Sequence, residues 1–167
     1  MIFLGLDPGI GRTGFGIIDT SQPQPFIRCG CLTTPARDPL PERLYSLARD
    51  IDALVQESQP QHAAVEDIFF GTNTATAMLT AHARGVLLYA LCARHVPITS
   101  FTPLQIKSRL TGYGRADKEQ VRYLVMQRLH LGSSPQPDDA ADALAAALCL
   151  ADSIPENGRT SYTASIL

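Results

Sequence analysis

Residues 2–9, Ile-Phe-Leu-Gly-Leu-Asp-Pro-Gly, decide the fold of this 167-residue chain. The apolar run from Ile2 to Leu6 predicts a buried strand, and Asp7-Pro8-Gly9 predicts the turn that ends it. An acid at the end of a buried strand stands on rigid backbone at the edge of the sheet, where open α/β sheets place their functional sites. Asp-Pro-Gly also forms turns well, so Asp7 taken alone is explained at least as well by the turn.

The segments that follow this strand predict a mixed sheet with helices on its faces. Two β-prone runs, Thr13–Ile18 and Phe26–Leu32, follow at short spacing and predict an antiparallel meander. Helical periodicity begins at Leu40 and ends at Gln59-Pro60, and an Ala-rich helix is predicted over about Thr74–Arg94. Buried strands are predicted on either side of that second helix, over Ala63–Ile68 and Ile98–Phe101. The order βββ-α-β-α-β, followed by helices, indicates the α/β class with five strands.

Three more helices are predicted beyond the last strand. Thr102 caps a short helix that opens at Pro103 and extends through Lys107, and Asp117 caps the next one. The final helix is predicted over about Asp138–Ala151. We expect one domain over residues 1–152 and a flexible C-terminal tail over 153–167. No run of about 18 uninterrupted apolar residues occurs, so we expect a soluble, cytoplasmic protein without a membrane partner.

Basic side chains are concentrated in one stretch of a chain whose net charge is only −2. Residues 107–128 contain six basic and two acidic side chains, a local charge of +4, and they include Lys107 and Lys118, the only lysines. The low overall charge argues weakly against a nucleic-acid partner, whereas this basic stripe favours one. A charge run taken alone is more often a solvated face.

Acids recur at two further places in the chain. Glu66 and Asp67 end the strand that starts at Ala63, and because strand side chains alternate in direction, only one of them can share a face with Asp7. Asp139 and Asp142 are three residues apart and therefore share a face at the mouth of an almost wholly apolar helix. Acids there are costly unless they bind a cation, are paired or benefit from the helix N-terminus. Helix capping explains Asp138 but not all three acids.

Asp7, Glu66, Asp139 and Asp142 together supply four carboxylates from two strand ends and one helix start. Phosphodiester hydrolysis uses two hard cations about 3.5–4 Å apart, and oxygen-only ligands favour Mg²⁺ or Mn²⁺ over Zn²⁺. The four histidines are scattered and none has metal-ligand spacing. The acids therefore predict a metal-dependent nuclease.

Four motifs in this order resemble those of the RuvC family of bacterial Holliday junction resolvases. They are Leu4-Gly5-Leu6-Asp7-Pro8-Gly9 with Thr13-Gly14-Phe15-Gly16, Val65-Glu66-Asp67-Ile68-Phe69-Phe70-Gly71-Thr72-Asn73, Ala83-Arg84-Gly85-Val86, and Asp139-Ala140-Ala141-Asp142-Ala143-Leu144-Ala145. The resemblance covers roughly residues 2–150. It implies a ribonuclease-H-like fold, a homodimer packed through the Ala-rich helix, and paired symmetric nicks across a four-way DNA junction in recombination and repair. It also implies two Mg²⁺ ions per site, with Mn²⁺ able to substitute, and the RuvA and RuvB branch-migration proteins as partners.

The same resemblance implies roles for individual residues. The acidic tetrad is carried over to Asp7, Glu66, Asp139 and Asp142, although the extra acid Asp138, four residues before Asp142, leaves the choice between Asp138 and Asp139 open. Lys107 and Lys118 correspond to basic residues near the scissile strand, and Phe69 to an aromatic that stacks on unpaired bases. The expected DNA contacts are Phe69, Phe70, Asn73, Lys107, Arg115 and Lys118.

Three other functions are compatible with parts of this pattern. Actin-like sugar kinases and ATPases also open with an acid after the first strand, but they need a second phosphate loop and a second domain. A module that binds junctions without cutting them would not need the late acidic pair. A ribonuclease-H-like relative that processes RNA is disfavoured by the matches at Phe69, Lys107 and Lys118.

Overall fold

The computed structural model describes residues 1–68 and 74–154, and the strands and helices below are given within those ranges. The strands are β1 (Ile2–Asp7), β2 (Arg12–Asp19), β3 (Phe26–Thr33), β4 (His62–Glu66) and β5 (Ile98–Phe101). The helices are α1 (Leu40–Ser58), α2 (Thr74–Ala93), α3 (Pro103–Thr111), α4 (Lys118–Arg128) and α5 (Asp138–Ala151).

These strands form one mixed sheet in the order β3-β2-β1-β4-β5. β1, β2 and β3 pair antiparallel, which confirms the predicted meander, and β4 joins β1 in parallel with Leu6 opposite Val65. β5 then pairs in parallel with β4, with Glu66 opposite Phe101. The parallel pairing brings the carboxyl ends of β1 and β4 to the same edge of the sheet, and Asp7 and Glu66 are the last residues of these two strands.

Buried side chains form one hydrophobic cluster on each face of the sheet. On one face, Phe3, Ile18 and Ala64 pack with α5 and with residues of α3 and α4. On the other face, Leu4, Leu6 and Val65 pack with α1 and α2. Strand alternation therefore turns Glu66, two residues after Ala64, toward α5, and it turns Asp67 toward α2. Glu66, and not Asp67, therefore shares a face of the sheet with Asp7.

Helix α5 lies unusually close to the sheet. A side chain added at Gly5 would overlap the carbonyl oxygen of Ala143 and come within 2.7 Å of the amide nitrogen of Ala147. The apolar sequence of α5 follows from this position, because its residues Ala143–Leu148 are all buried between β1 and the helices around it. Close contact between the two backbones fixes the height of α5 above the strands, and with it the height of the acids at its N-terminus.

Several predicted boundaries were wrong by a few residues. β4 ends at Glu66 rather than Ile68, although the amide of Asp67 still donates a hydrogen bond to the Phe101 carbonyl at 2.8 Å. α3 continues past Lys107 to Thr111 and ends where Gly112 adopts a φ of 74°, in the left-handed region. Thr102 and Asp117 cap α3 and α4 as predicted, each in a capping box with the glutamine three residues later.

Candidate active site

Asp7 interacts electrostatically with all three of the other predicted acids at the edge of the sheet. Asp7 is largely buried, and this burial, reinforced by the negative charges of Asp142 and Asp139, raises its pKa to about 7. Burial is also the main cause at Glu66, where the charges of Asp7 and Asp142 add to it and raise the pKa to about 8. Two carboxyls that resist ionisation at neutral pH show that the cluster has too little positive charge nearby to balance its acids. Such a cluster is electrostatically suited to bind a cation.

The adjacent acids Asp138 and Asp139 have different surroundings. Asp138 is about half exposed and pairs with Arg122 of α4 at 2.9 Å, whereas Asp139 is among the acids that act on Asp7. Asp138 does not cap α5, contrary to the sequence-based explanation, because Pro137 occupies the cap position and Asp138 lies in the first turn. Asp139, and not Asp138, is therefore the first-turn acid of α5 that acts on Asp7 together with Asp142.

Two further cations contact Asp142 and Asp139 of α5. The Nζ of Lys118 lies 3.1 Å from Oδ2 of Asp142, and it donates a hydrogen bond there. The charge of Asp142 and this hydrogen bond raise the pKa of Lys118. On the opposite side, Nε of Arg12 lies 3.0 Å from Oδ2 of Asp139. That Oδ2 atom is buried and accepts no hydrogen bond, since the Arg12 N–H is not directed at it.

Divalent metal ions fit the chemistry of these side chains. All four acids offer oxygen ligands, which suit Mg²⁺ and Mn²⁺, and the buried Oδ2 of Asp139 has an unused lone pair. Within residues 1–68 and 74–154, however, no three acidic, histidine or cysteine side chains are already gathered into a closed ligand group.

A cavity of about 250 Å³ opens beside the acids. Its lining includes Glu66 and Asp142 together with both lysines of the chain, and its other lining residues are apolar. The lining residues are Glu66, Pro103, Ile106, Lys107, Lys118, Val121, Asp142 and Ala145. The basic stripe predicted from the sequence thus reaches the acids through Lys107 and Lys118.

The remaining predicted DNA contacts are not assembled around this cavity. Arg115 is exposed in the loop between α3 and α4 and is absent from the residues that line the cavity. Phe69, Phe70 and Asn73 lie outside the described residues.

Arg84 of α2 contacts both Asp67, at 3.2 Å, and the hydroxyl of Ser100, at 2.8 Å. It therefore links α2 to β5 and to the residue that follows β4.

No sequence pattern indicated Arg12 as a residue of the site. It is the first residue of β2, and it approaches Asp139 because β1 and β2 form a hairpin that pairs Asp7 with Gly14. The only signal in the sequence was a basic residue five positions after Asp7. That signal becomes meaningful only once the position of α5 over the hairpin is known.

The chain is similar to known proteins over most of its length. The family model described as crossover junction endodeoxyribonuclease RuvC matches residues 3–150. A relative of that name from Desulfitobacterium hafniense is 46% identical over 155 residues, which is 92% of this chain and 94% of the relative. Another, from Alkaliphilus oremlandii, is 43% identical and covers 89% of this chain and 92% of its own.

Solved structures give the same result at the level of the fold. The structure of Thermus thermophilus RuvC is 31% identical and matches with a TM-score of 0.83, covering 90% of this chain and 93% of its own. T. thermophilus RuvC in complex with a Holliday junction substrate matches with a TM-score of 0.85 over the same shares. The yeast mitochondrial Holliday junction resolvase Ydc2 shares the fold at 14% identity and a TM-score of 0.61, over 88% of this chain and 77% of its own.

Proposed function

This chain belongs to the RuvC family of crossover junction endodeoxyribonucleases, and on that premise we propose that it resolves four-way DNA junctions at the cluster of Asp7, Glu66, Asp139 and Asp142. One observation carries the proposal: the two strand-end acids have pKa values near 7 and 8 because they are buried beside the acids of α5. The branched substrate is supported by the relative from T. thermophilus, which is known in complex with a Holliday junction.

We propose further that the four carboxylates hold two Mg²⁺ ions, with Mn²⁺ able to substitute. When bound, such ions activate the attacking water and stabilise the leaving oxygen of the phosphodiester. The oxygen-only donor set and the buried, unbonded Oδ2 of Asp139 support this assignment. A metal centre would also relieve the repulsion that raises the pKa of Asp7 and Glu66.

Lys107 and Lys118 provide the positive charge that a DNA backbone requires beside these acids. Both line the cavity with Glu66 and Asp142, so a phosphate at the cavity mouth would lie against the two ammonium groups. Lys118 is mostly exposed and can turn from Asp142 to a phosphate oxygen without leaving a buried charge unpaired. We assign Lys107 and Lys118 to backbone binding, Arg115 to a more distant phosphate, and Phe69, Phe70 and Asn73 to the unpaired bases at the crossover.

A homodimer through α2 is the proposed assembly. Residues Thr76–Ala93 are long and apolar enough to span a membrane by length and composition, yet only 28% of that stretch is buried. Its inner face packs on the sheet through Ala83, Leu87 and Leu91, while Met78, Leu79 and Tyr89 are exposed. A second copy on this exposed face would cover it, and two-fold symmetry would present two active sites to the two equivalent strands of a junction.

Other parts of the proposal follow from the family. We place the protein in the cytoplasm, with the RuvA and RuvB branch-migration proteins as partners and residues 1–152 as a single nuclease domain. The segment 153–167 is proposed as a dispensable tail, and residues 155–167 of it lie outside the described part of the chain.

The deciding experiment compares a synthetic mobile four-way junction with a linear duplex of the same sequence, in Mg²⁺ or Mn²⁺. We expect symmetric nicks in the junction alone, lost in Asp7→Asn while junction binding persists. Asp50→Asn is the matched control, because Asp50 lies on the surface of α1 beside Arg49. Junction binding without cleavage in either metal would identify a binding module instead, and cleavage of both substrates would contradict structure specificity.

A further inference from the structure

Arg12 combines a fixed backbone with a largely exposed side chain at the edge of the acid cluster. The turn before it is held by Thr13, whose buried hydroxyl donates to the Gly9 carbonyl at 2.8 Å, and by the amide of Thr34, which donates to the Gly11 carbonyl at 3.2 Å. The Arg12 side chain is 59% exposed. Its guanidinium can therefore leave Asp139 for solvent without disturbing the hairpin.

The contact between Arg12 and Asp139 is electrostatic and lacks directed hydrogen bonding. Nε and Oδ2 are 3.0 Å apart, yet the buried Oδ2 accepts no hydrogen bond. A buried carboxylate oxygen without a hydrogen bond carries an uncompensated desolvation cost. Oδ2 of Asp139 would therefore gain from direct coordination of a cation, which the contact with Arg12 does not provide.

Asp139 and Asp142 of α5 each have a cation in contact, whereas the strand-end acids do not. Lys118 pairs with Asp142 at 3.1 Å and Arg12 with Asp139, but within the described part of the chain neither Asp7 nor Glu66 forms an ion pair. Each of these two cations therefore neutralises one of the two α5 acids assigned to the proposed metal centre.

We propose that Arg12 is a positioning residue that competes with divalent metal for Asp139. It holds Asp139 while the centre lacks metal, and it must give up Oδ2 before that oxygen can coordinate an ion. Its charge therefore weakens metal binding and sets the metal concentration at which the centre fills. The inference rests on the metal centre proposed above.

Metal binding without DNA tests this role directly. Mn²⁺ titrated into the full chain, with free Mn²⁺ followed by electron paramagnetic resonance, gives a dissociation constant that does not depend on catalysis. We expect Arg12→Gln to bind Mn²⁺ roughly two- to fivefold more tightly, the range that corresponds to one exposed ion pair. Arg12→Lys, which keeps the charge, should stay near the wild-type value.

Arg122→Gln is the matched control, since it removes an arginine from Asp138, the neighbouring acid on the same turn of α5. Its Mn²⁺ affinity should not change. Unchanged or weaker binding in Arg12→Gln, or an equal gain in Arg122→Gln, would overturn the role of Arg12. If Asp7→Asn binds Mn²⁺ as tightly as the wild type, the metal lies elsewhere and the proposed centre itself fails. Loss of binding in Asp7→Asn beside an unchanged Arg12→Gln leaves the centre standing and overturns only the inference about Arg12.

Discussion

Gly14 lies directly against the backbone of Asp139, so that a side chain at position 14 would overlap the Asp139 carbonyl oxygen and come within 3.1 Å of its Cβ. Gly14 also pairs with Asp7 across the β1–β2 hairpin. One glycine therefore sets the separation between a strand-end acid and a helix acid. The contact is with backbone, which cannot rotate away as a side chain could.

We expect Gly14→Ala to displace the first turn of α5 and to destabilise the protein by about 3 kcal/mol, the upper end of the usual cost of overpacking. Any residual folded protein should lose junction cleavage, because Asp139 moves away from Asp7. Chemical denaturation measures the first effect and a cleavage assay the second. Gly132→Ala is the control, since a Cβ there meets nothing within 4 Å. Equal stability of the two variants would contradict the close approach.

Substitution of the two adjacent acids should separate their roles. Asp139→Asn is expected to lower metal-dependent cleavage by at least about 100-fold. Loss of a group that only supports a ligand costs up to about 100-fold, and Asp139 is proposed as a ligand itself. Asp138→Asn should remain within a few fold of the wild type, because Asp138 pairs with Arg122 and is about half exposed. Single-turnover cleavage of a four-way junction distinguishes them. The reverse order would assign the ligand to Asp138.

The stability of the metal-free protein should depend on pH through Asp7 and Glu66. Their pKa values are about 7 and 8 in the folded protein, whereas unfolded carboxyls titrate near 4. Between these values the folded state binds more protons than the unfolded state, so stability is highest at acidic pH and falls as pH rises toward 8.

Asp7→Asn removes one of these buried charges. At pH 8 without metal we expect its melting temperature to exceed that of the wild type by about 2–8 °C, which corresponds to about 1–2 kcal/mol in a chain of this size. At pH 4–5 the two proteins should melt together, and Mg²⁺ at pH 8 should stabilise only the wild type. Thermal denaturation followed by circular dichroism gives these values. A wild-type melting temperature that rises between pH 5 and 8 would show that the acids are not buried as described.

The exposed face of α2 predicts an effect on assembly. Tyr89 is 74% exposed and belongs to the proposed dimer surface, so Tyr89→Glu should convert dimers to monomers. Tyr45→Glu changes an equally exposed tyrosine, 72% accessible, on α1 and should leave the dimer intact. Light scattering coupled to size exclusion reports both masses. Dimers that persist in Tyr89→Glu would place the interface elsewhere.

Short sequence patterns predicted the strands and helices well, because each pattern involves residues that are close together in the chain. The bounds of β5 and α5 agree with the structure, and the capping roles of Thr102 and Asp117 were read from residues three positions apart. The same signals placed Asp7 and Glu66 at strand ends. The choice between Glu66 and Asp67 became clear only from which face of the sheet α5 covers.

Long-range relationships were beyond the reach of such signals. The pairing of Arg12 with Asp139 joins residues 127 positions apart and depends on both the hairpin register and the height of α5. The rotation of α5, which turns Asp138 toward Arg122, is likewise fixed by tertiary packing. Helical spacing alone allowed either Asp138 or Asp139 to stand beside Asp142.

Helix α5 packs against β1, the first strand, yet it is the last helix of the described residues, 1–68 and 74–154. Without residues 138–151, one face of the sheet, with Phe3, Ile18 and Ala64, loses its main cover, and the proposed site keeps only Asp7 and Glu66. A chain truncated before α5 thus lacks two of the four proposed catalytic acids and the central helix of one of its two hydrophobic clusters. Folding of this face of the sheet and completion of the proposed site therefore depend on the same helix.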